Sequence, residues 1–559
     1  MKRLTLLLLF VVLCTGTLIA AGGAESAAAR TAPVTVNRSG YPIVDEPLTY
    51  NVMAIQGPWA RNWGEMPVMQ DHEELTNIRI NWTMIPESER TERINLMLAT
   101  ASYPDVFMGG GGLGARTDET IQSGVILPLS DLLNEWAPNI TAMFTQLPEL
   151  RAAATHTDGK IYGMVSYQNS SYHTSVTQKY YVNIAWLERL GLDMPATTEE
   201  FYDMLVAFRD RDPNGNGRRE EIPLAFNTGP QGEIAHWIEY FGPWGVVDTV
   251  MVDNGRVYWG FEDEGFREGA RFFRRLVEEG LLSKESIVQT QDQRRARAIV
   301  DGEVVLGVGP ALAPQFVWND MSIVFKYDDT YRTLDLMSDL ELNPDRQIGV
   351  IPPFAGPDGT NLWRYQTGTG TWTNRALIFR DAPAPEAMVR WLDHWYDGGR
   401  NGFTMLEGKE GVRWEQNPQT GAYIEYMPPP ELGMNLQEWR QWSTPINTFF
   451  WDREGEIKKP VLPRHVMLEE YTDKYLPFIP EESFPANLVK ATEPEIDVLV
   501  QYEQELLNYV WETMARFIFG EVNIDAEWPR FLDQVRRMRS AEVLQVKQAQ
   551  YDRYVEALD

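Results

Sequence analysis

Residues 78–108 read IRINWTMIPESERTERINLMLATASYPDVFM, and this stretch decides the fold class. Ile78 to Ile85 alternates apolar and polar side chains, as a strand with one buried face does. Ser88 stands where a helix cap is wanted, and Ile94, Met97, Leu98 and Ala101 then fall on one face of a helix. Pro104 to Met108 is short and apolar like a buried strand, and it runs into the four glycines 109–112. Strand, helix and strand in succession predict parallel sheets with crossover helices.

The alternation continues outward. Asp158 to Gly163 (DGKIYG) reads as a turn leading into a strand, and Tyr180 to Val182 as a strand followed by a helix over Ile184–Leu190. Thr197 and Glu200 form a capping-box pattern ahead of a helix that turns Phe201, Leu205 and Phe208 inward. From about Glu493 to the end the pattern is nearly all helical, with Leu499, Tyr502, Leu506 and Val510 at helical spacing. No internal repeat is visible.

At 559 residues the chain is too long for one hydrophobic core, so two to four domains or two large lobes are expected. Hydrophobic content of 43% with 23% charged residues describes a packed globular protein. The formal charge of −30 is the opposite of the basic stripe a nucleic-acid binder needs, and it disfavours adhesion to an anionic membrane. With one cysteine, Cys14, intramolecular disulfides and cysteine metal clusters are excluded.

Lys2 and Arg3 precede an apolar run from Leu4 to Leu13, and small residues follow at Ala20 to Gly23. That is a secretory signal peptide over residues 1–22, followed by an Ala-, Ser-, Thr- and Pro-rich flexible leader over 23–44. Export across the inner membrane to the periplasm or cell surface is expected. Lipidation at Cys14 is the rival reading, against which Leu13 occupies a position that wants a small residue. No later apolar run reaches membrane-spanning length.

Catalytic signatures are sparse. The six histidines (72, 156, 173, 236, 394 and 465) form no HExxH motif and no i, i+4 pair, and neither a GxSxG elbow nor a P-loop occurs. Gly109 to Gly114 formally matches GxGxxG, but a run of four glycines meets that pattern easily. Asp131, at about the distance a dinucleotide site needs, lies in a helical pattern rather than at a strand end, so a glycine-rich loop beside a cleft is the better reading. Carboxylate pairs are expected by chance among 80 acids, and the separation of a glycosidase dyad is spatial rather than sequential.

One local motif is specific. DPNGNGRREEIP at 212–223 places oxygen side chains at loop positions 1, 3, 5 and 9 and glycine at position 6, where a calcium loop turns sharply. Asp212, Asn214, Asn216 and Glu220 would be side-chain ligands, and Arg218 would offer its backbone carbonyl. Position 12 is Pro223 rather than glutamate, and Glu221 would replace it. The competing reading is an acidic surface turn held by Asx-type hydrogen bonds. A bound Ca2+ would be structural.

Tryptophan usage is the second clue. Several of the 19 tryptophans stand among polar, loop-forming residues: Trp59, Trp63, Trp237, Trp244, Trp318 and Trp372. Indoles offer flat platforms to the apolar faces of sugar rings, while Asn, Gln and Asp satisfy hydroxyls. Asp71, Gln168 and Asn227 are the candidate hydroxyl partners. Trp186, Trp391, Trp395, Trp511 and Trp528 fall at helical spacings and read as core.

Taken in order, LATASYPDVF (98–107), GVILPLSDLL (124–133), DGKIYGM (158–164), the segment 180–205, DPNGNGRREEIPLAF (212–226), IGVIPPFAGPDG (348–359) and FIFGEVNIDAEWPRFLDQVRRM (517–538) resemble a known family. The chain is similar to extracellular solute-binding proteins of carbohydrate ABC importers, in the LipO-like subgroup that includes alginate-type oligosaccharide-binding proteins. The resemblance implies an α/β, type II-like periplasmic-binding-protein fold with two hinge-linked lobes and extra C-terminal helices. One lobe would comprise 45–167 and 346–405, the other 168–345 and 406–559. It also implies a calcium loop built on Asp212, Asn214, Asn216, Arg218, Glu220 and Glu221.

On this reading a monomer closes on an oligosaccharide through contacts from both lobes, since only a ligand that favours the closed state shifts the balance. The loaded protein then docks on the transmembrane subunits of an ABC permease. Trp59 and Trp63 would face Trp237 and Trp244 across the cleft, with Trp372 near the hinge. The acid excess favours a neutral or weakly charged sugar unless arginines concentrate in the cleft. A secreted glycoside hydrolase would share the signal peptide and the aromatic platforms but turn its ligand over. A sugar sensor would differ only in its membrane partner.

Overall fold

The computed structural model describes residues 34–558 apart from 58–59, 168–175, 177, 230–233, 319–347, 367–370, 420, 422, 435, 446–462 and 487. The expected signal peptide, Cys14 and the start of the leader lie outside the described residues.

Two four-stranded sheets form the centres of two lobes. In the first, strands Leu48–Gln56, Ile78–Pro86 and Val106–Met108 run parallel, with Leu48 opposite Ile78 and Val52 opposite Val106. Strand Ala376–Ile378 completes the sheet antiparallel to Val106–Met108. Along the first strand Tyr50, Val52 and Ala54 are buried in the main core of this lobe, whereas Met53 and Ile55 pack on the opposite face with Phe107. Helices therefore cover both faces, as a parallel sheet requires.

The second sheet has the order Ile348–Ile351, Lys179–Asn183, Leu306–Ala311, Ile222–Leu224. Leu306–Ala311 runs parallel to Ile222–Leu224, and both outer neighbours of Lys179–Asn183 are antiparallel to it. The parallel pairing expected from the alternation is present in both sheets, and each sheet also holds one reversed strand. The cause is topological: that strand is the first to follow a crossing between lobes.

Local signals were read correctly where the chemistry is local. Helix Ile184–Leu190 forms as expected, and helix Thr198–Asp210 begins with the Thr197 hydroxyl accepting the Glu200 N–H. Phe201, Leu205 and Phe208 are fully buried on its inner face. Ser88 is a correction. It lies inside a 3-10 turn, Glu87–Glu89, which feeds directly into helix Arg90–Thr100. The Arg90 N–H already bonds the Glu87 carbonyl, so no side-chain cap is needed there.

The larger core joins the second sheet to the C-terminal helices Gln504–Ile518, Ile524–Arg537 and Ser540–Leu558 through Leu506, Val510, Met514, Phe517 and Phe531. Ile348, Val350, Phe354 and Trp363 belong to this core, so the return to the first lobe falls after Trp363 rather than at 346. Residues after 405 begin with a small unit of their own, in which Phe403, Trp414 and Tyr423 pack together.

Candidate functional site

In α/β proteins ligands bind at the carboxyl ends of the parallel strands, where loops rather than helices meet the edge of the sheet. Both lobe crossings run between those edges here. The first leaves just after the two-residue strand Ser166–Tyr167 and enters at Lys179, which is level with Ala311 at the carboxyl end of its neighbour. The return leaves the second sheet after Ile351, passes Trp363 still within that core, and arrives at Thr371–Trp372. Ser166–Tyr167 and Thr371–Trp372 pair antiparallel, with Trp372 opposite Ser166, so both crossing segments meet in one hinge ladder. The carboxyl edges of the two sheets therefore flank the hinge and bound the cleft.

On the first lobe the edge is built from Gly57, Ala60 and Arg61, the glycine loop after Met108, and Arg375. Arg375 donates from Nε to Ser166 Oγ at 3.1 Å, and its Cζ lies 4.9 Å from the ring centre of half-buried Trp372. Arg90 Nη2 donates to the carbonyls of Gly110 and Gly112, pinning the glycine loop. A Cβ on Gly110 would lie 2.8 Å from Arg375 Nη1, so any larger residue there would push the guanidinium aside. Helix Leu436–Ser443 closes one side. Its Trp439 and Trp442 rings stack with centroids 5.3 Å apart, and the Arg61 guanidinium lies 3.7 Å from the Trp442 ring centre. The C-terminal segment reaches the same region: Lys490 Nζ donates to Thr373 Oγ1 at 3.4 Å.

On the second lobe Lys179 is fully buried, and its ammonium donates to the Val176 carbonyl at 2.7 Å; burial alone pulls its pKa down to about 7. Arg294, equally buried, donates to the carbonyls of Pro310 and Phe316 at 2.8 Å, and burial lowers it to about 10. Asn227 follows strand Ile222–Leu224, is half-buried, and donates from Nδ2 to the Thr228 carbonyl at 2.9 Å.

The candidate tryptophans divide sharply. Trp63 is only 2% exposed and packs edge-on against Trp82 inside the first core, so it is no platform. Trp237 and Trp318 are sealed in the second core, their indole N–H groups satisfied by the carbonyls of Asn227 (3.0 Å) and Leu306 (3.2 Å). The polar sequence context was misleading because it reflects the turns that deliver these rings and the carbonyl each indole needs when buried. Trp244 is half-buried against Phe272 and Phe241. Asp71 lies exposed on the outer helix Pro67–Thr76 and pairs with Lys409 at 2.8 Å. Trp59 and Gln168 lie outside the described residues. Of the candidates, Trp372 and Asn227 stand at the strand edges that bound the cleft.

Sequence reasoning missed Arg61, Arg90, Arg375, Trp439 and Trp442. The i, i+3 spacing of Trp439 and Trp442, with Arg440 between them, was the available signal. Arg375 carried none, because its partners Ser166 and Gly110 lie far away in sequence.

In the loop 212–221 the Asp212 carboxylate accepts the N–H groups of Gly215, Asn216 and Gly217, and Asn216 Oδ1 accepts that of Arg218. Glu220 Oε1 takes Asn216 Nδ2 at 2.7 Å and lies 3.1 Å from the Arg218 guanidinium. Glu221 Oε1 is buried without a hydrogen-bond partner. Among the described residues no three His, Cys, Asp or Glu side chains are clustered as a metal site. The loop oxygens and the orphaned Glu221 oxygen nonetheless fit a hard cation.

Residues 68–397 match the family described as bacterial extracellular solute-binding protein. The chain belongs to that family. This solute-binding protein is 25% identical over 538 residues, 91% of either chain, to the fructooligosaccharide ABC transporter substrate-binding protein FusA of Streptococcus pneumoniae serotype 4. It is 24% identical over 471 residues to lipoprotein LipO of Bacillus subtilis, covering 82% of this chain and 83% of that one. Among solved structures, an EF-hand mutant of S. pneumoniae FusA in complex with fructo-nystose superposes with a TM-score of 0.76 at 24% identity, covering 91% of this chain and 100% of that one. Alginate-binding protein AlgQ2 without calcium ion gives 0.68 at 20% identity, covering 91% and 99%. The two-lobed solute-binding fold expected from the resemblance is the observed one. No helix among the described residues of this solute-binding protein is long and apolar enough to cross a membrane.

Proposed function

We propose that this protein is the substrate-binding component of an ABC importer, exported from the cytoplasm, which captures an oligosaccharide between its lobes and hands it to the permease subunits. The observation that carries the reading is the hinge ladder between Ser166–Tyr167 and Thr371–Trp372, which sets two strand edges on either side of a cleft, in a chain that aligns along 91% of its length with a fructooligosaccharide-binding relative. Trp372 at the hinge supplies a ring platform, and Asn227 a hydroxyl partner. The protein binds its ligand without turning it over.

The loop 212–221 holds a structural Ca2+ in this reading, with Asp212, Asn214, Asn216 and Glu221 supplying side-chain oxygens and Arg218 its carbonyl. The orphaned Glu221 oxygen supports it, as does the likeness to an EF-hand mutant of FusA and to AlgQ2 solved without calcium ion. The cation would tie the end of helix Thr198–Asp210 to strand Ile222–Leu224.

The test is a thermal-shift screen of the full-length chain against an oligosaccharide panel, with mass spectrometry of the recovered ligand. A ligand bound only by the native state raises the midpoint. A saturable shift with unchanged ligand is expected. Recovery of cleaved sugar would establish an enzyme instead, and a shift with peptides alone would reject the sugar.

A further inference from the structure

We infer that the oligosaccharide taken by this cleft carries a carboxylate, and that the Arg375 guanidinium receives it. The inference rests on the solute-binding reading above and narrows it to acidic sugars.

The whole chain carries a formal charge of −30, yet buried cations stand at both strand edges that bound the cleft: Arg375 on one, Lys179 and Arg294 on the other. Arg375 is only 6% exposed. Its Nε is taken by Ser166, its Nη1 lies against Gly110, and among the described residues neither Nη atom has a hydrogen-bond acceptor and no carboxylate pairs with it. A second cation, Arg90, repels it, and the exposed partner of Arg90 is Glu87 at 3.3 Å. Burial, and then repulsion from Arg90, bring the Arg375 pKa down to about 10, so it stays charged at neutral pH. Across the cleft Lys179 and Arg294 are buried against backbone carbonyls alone.

Other buried arginines among the described residues are paired with carboxylates. Arg413 pairs with Glu425 at 2.6 Å, and Arg364 is held between Glu239 and Asp248. A buried guanidinium without an anion is costly, and a second guanidinium beside it adds to the cost. Neutral hydroxyls would bond to Arg375 without relieving the charge. A carboxylate relieves it and matches the planar fork with two parallel hydrogen bonds. Trp372, lying under the same guanidinium, offers its remaining surface to the sugar ring that bears the carboxylate.

The experiment is calorimetry on the full-length protein with three probes: a galacturonic acid trisaccharide, its methyl ester, and a neutral fructotrisaccharide. The acid should bind, the ester at least tenfold more weakly, and affinity for the acid should fall as salt rises. R375Q should lose at least tenfold for the acid, while R375K keeps part of it. If the neutral trisaccharide binds and the acid does not, or if R375Q binds the acid like the parent, the carboxylate inference is overturned and the solute-binding reading stands. If a sulfated sugar binds and the uronate does not, it is equally overturned. If no member of a wide sugar panel binds, both readings fall. Should R375Q not fold, acid against ester on the parent protein decides alone.

Discussion

The imidazole rings of His72 and His394 stack inside the first lobe with centroids 4.3 Å apart and planes 25° from parallel. His72 comes from helix Pro67–Thr76 and His394 from the turn after helix Pro385–Asp393, so the stack fixes two outer elements to each other. Tyr41 hydroxyl meets His394 Nδ1 at 2.5 Å, and His72 Nε2 lies 3.3 Å from the Trp391 carbonyl.

Stability should therefore fall as the medium is acidified. Burial lowers His394 to about 4; burial, followed by its neighbour His394, holds His72 well below the usual range. An unfolded histidine titrates near 6.5, so from there down toward pH 4 the unfolded chain binds two protons the folded chain refuses. Asp393 acts in the opposite sense, because burial raises it to about 6 and the folded form takes a proton first. The other charged groups around the stack are Arg390 and Asp397. Within this cluster the net of one proton contributes about 1.4 kcal/mol of stability lost per pH unit between 6 and 4; the similarly lowered His236 adds to this and the raised Glu239 opposes it. Urea midpoints at pH 7 and pH 5 check this, and His72→Leu should flatten the dependence. An equal loss in His72→Leu and the parent would place the sensitivity elsewhere.

Trp63 and Trp372 should respond to truncation in opposite ways. Trp63→Ala empties a sealed site and should cost about 3–5 kcal/mol of stability. Trp372→Ala removes a half-buried ring at the hinge and should weaken oligosaccharide binding about tenfold with a much smaller change in melting temperature. Paired calorimetry and thermal melts separate the two. A binding-only defect in Trp63→Ala would restore it as a platform.

These two residues also mark where sequence stops informing on structure. Helix Thr198–Asp210 was legible because a cap and a 3.6-residue period are local, and the calcium-like loop because its oxygens are consecutive in the chain. Trp63 was not, since burial depends on where Trp82 and the rest of the core arrive. The direction of strands Lys179–Asn183 and Ala376–Ile378 was hidden as well, because a crossing between lobes sets it and no residue encodes it. Arg375 meets Ser166 across 209 positions of sequence, and only the fold reveals that nothing acidic among the described residues pairs with it.

Arg413 and Glu425 form a buried ion pair at 2.6 Å, with side chains 1% and 8% exposed. Removing one partner leaves the other charged in an apolar setting, so Arg413→Met alone should cost about 3–5 kcal/mol. The double variant Arg413→Met with Glu425→Met should regain most of that loss, because no charge is then stranded. Denaturant titrations of the parent and the three variants form the cycle. Simple additivity of the single losses would show that the two groups act separately.

The loop at 212–221 should respond to chelation. Asp212 already organises the turn by accepting three backbone N–H groups, so D212A should lower the melting temperature with or without a cation. Glu221 separates the two possibilities, because its buried Oε1 has no protein partner to lose. If Ca2+ occupies the loop, chelator lowers the melting temperature of the parent, and calcium at about a hundred times its dissociation constant restores about 2.7 kcal/mol. E221Q should abolish most of that calcium-dependent increment while leaving the melting temperature in chelator nearly unchanged. A parent protein that melts alike in chelator and in millimolar calcium would mean that the Asx-type hydrogen bonds alone hold the turn, and that the Glu221 oxygen is left to water.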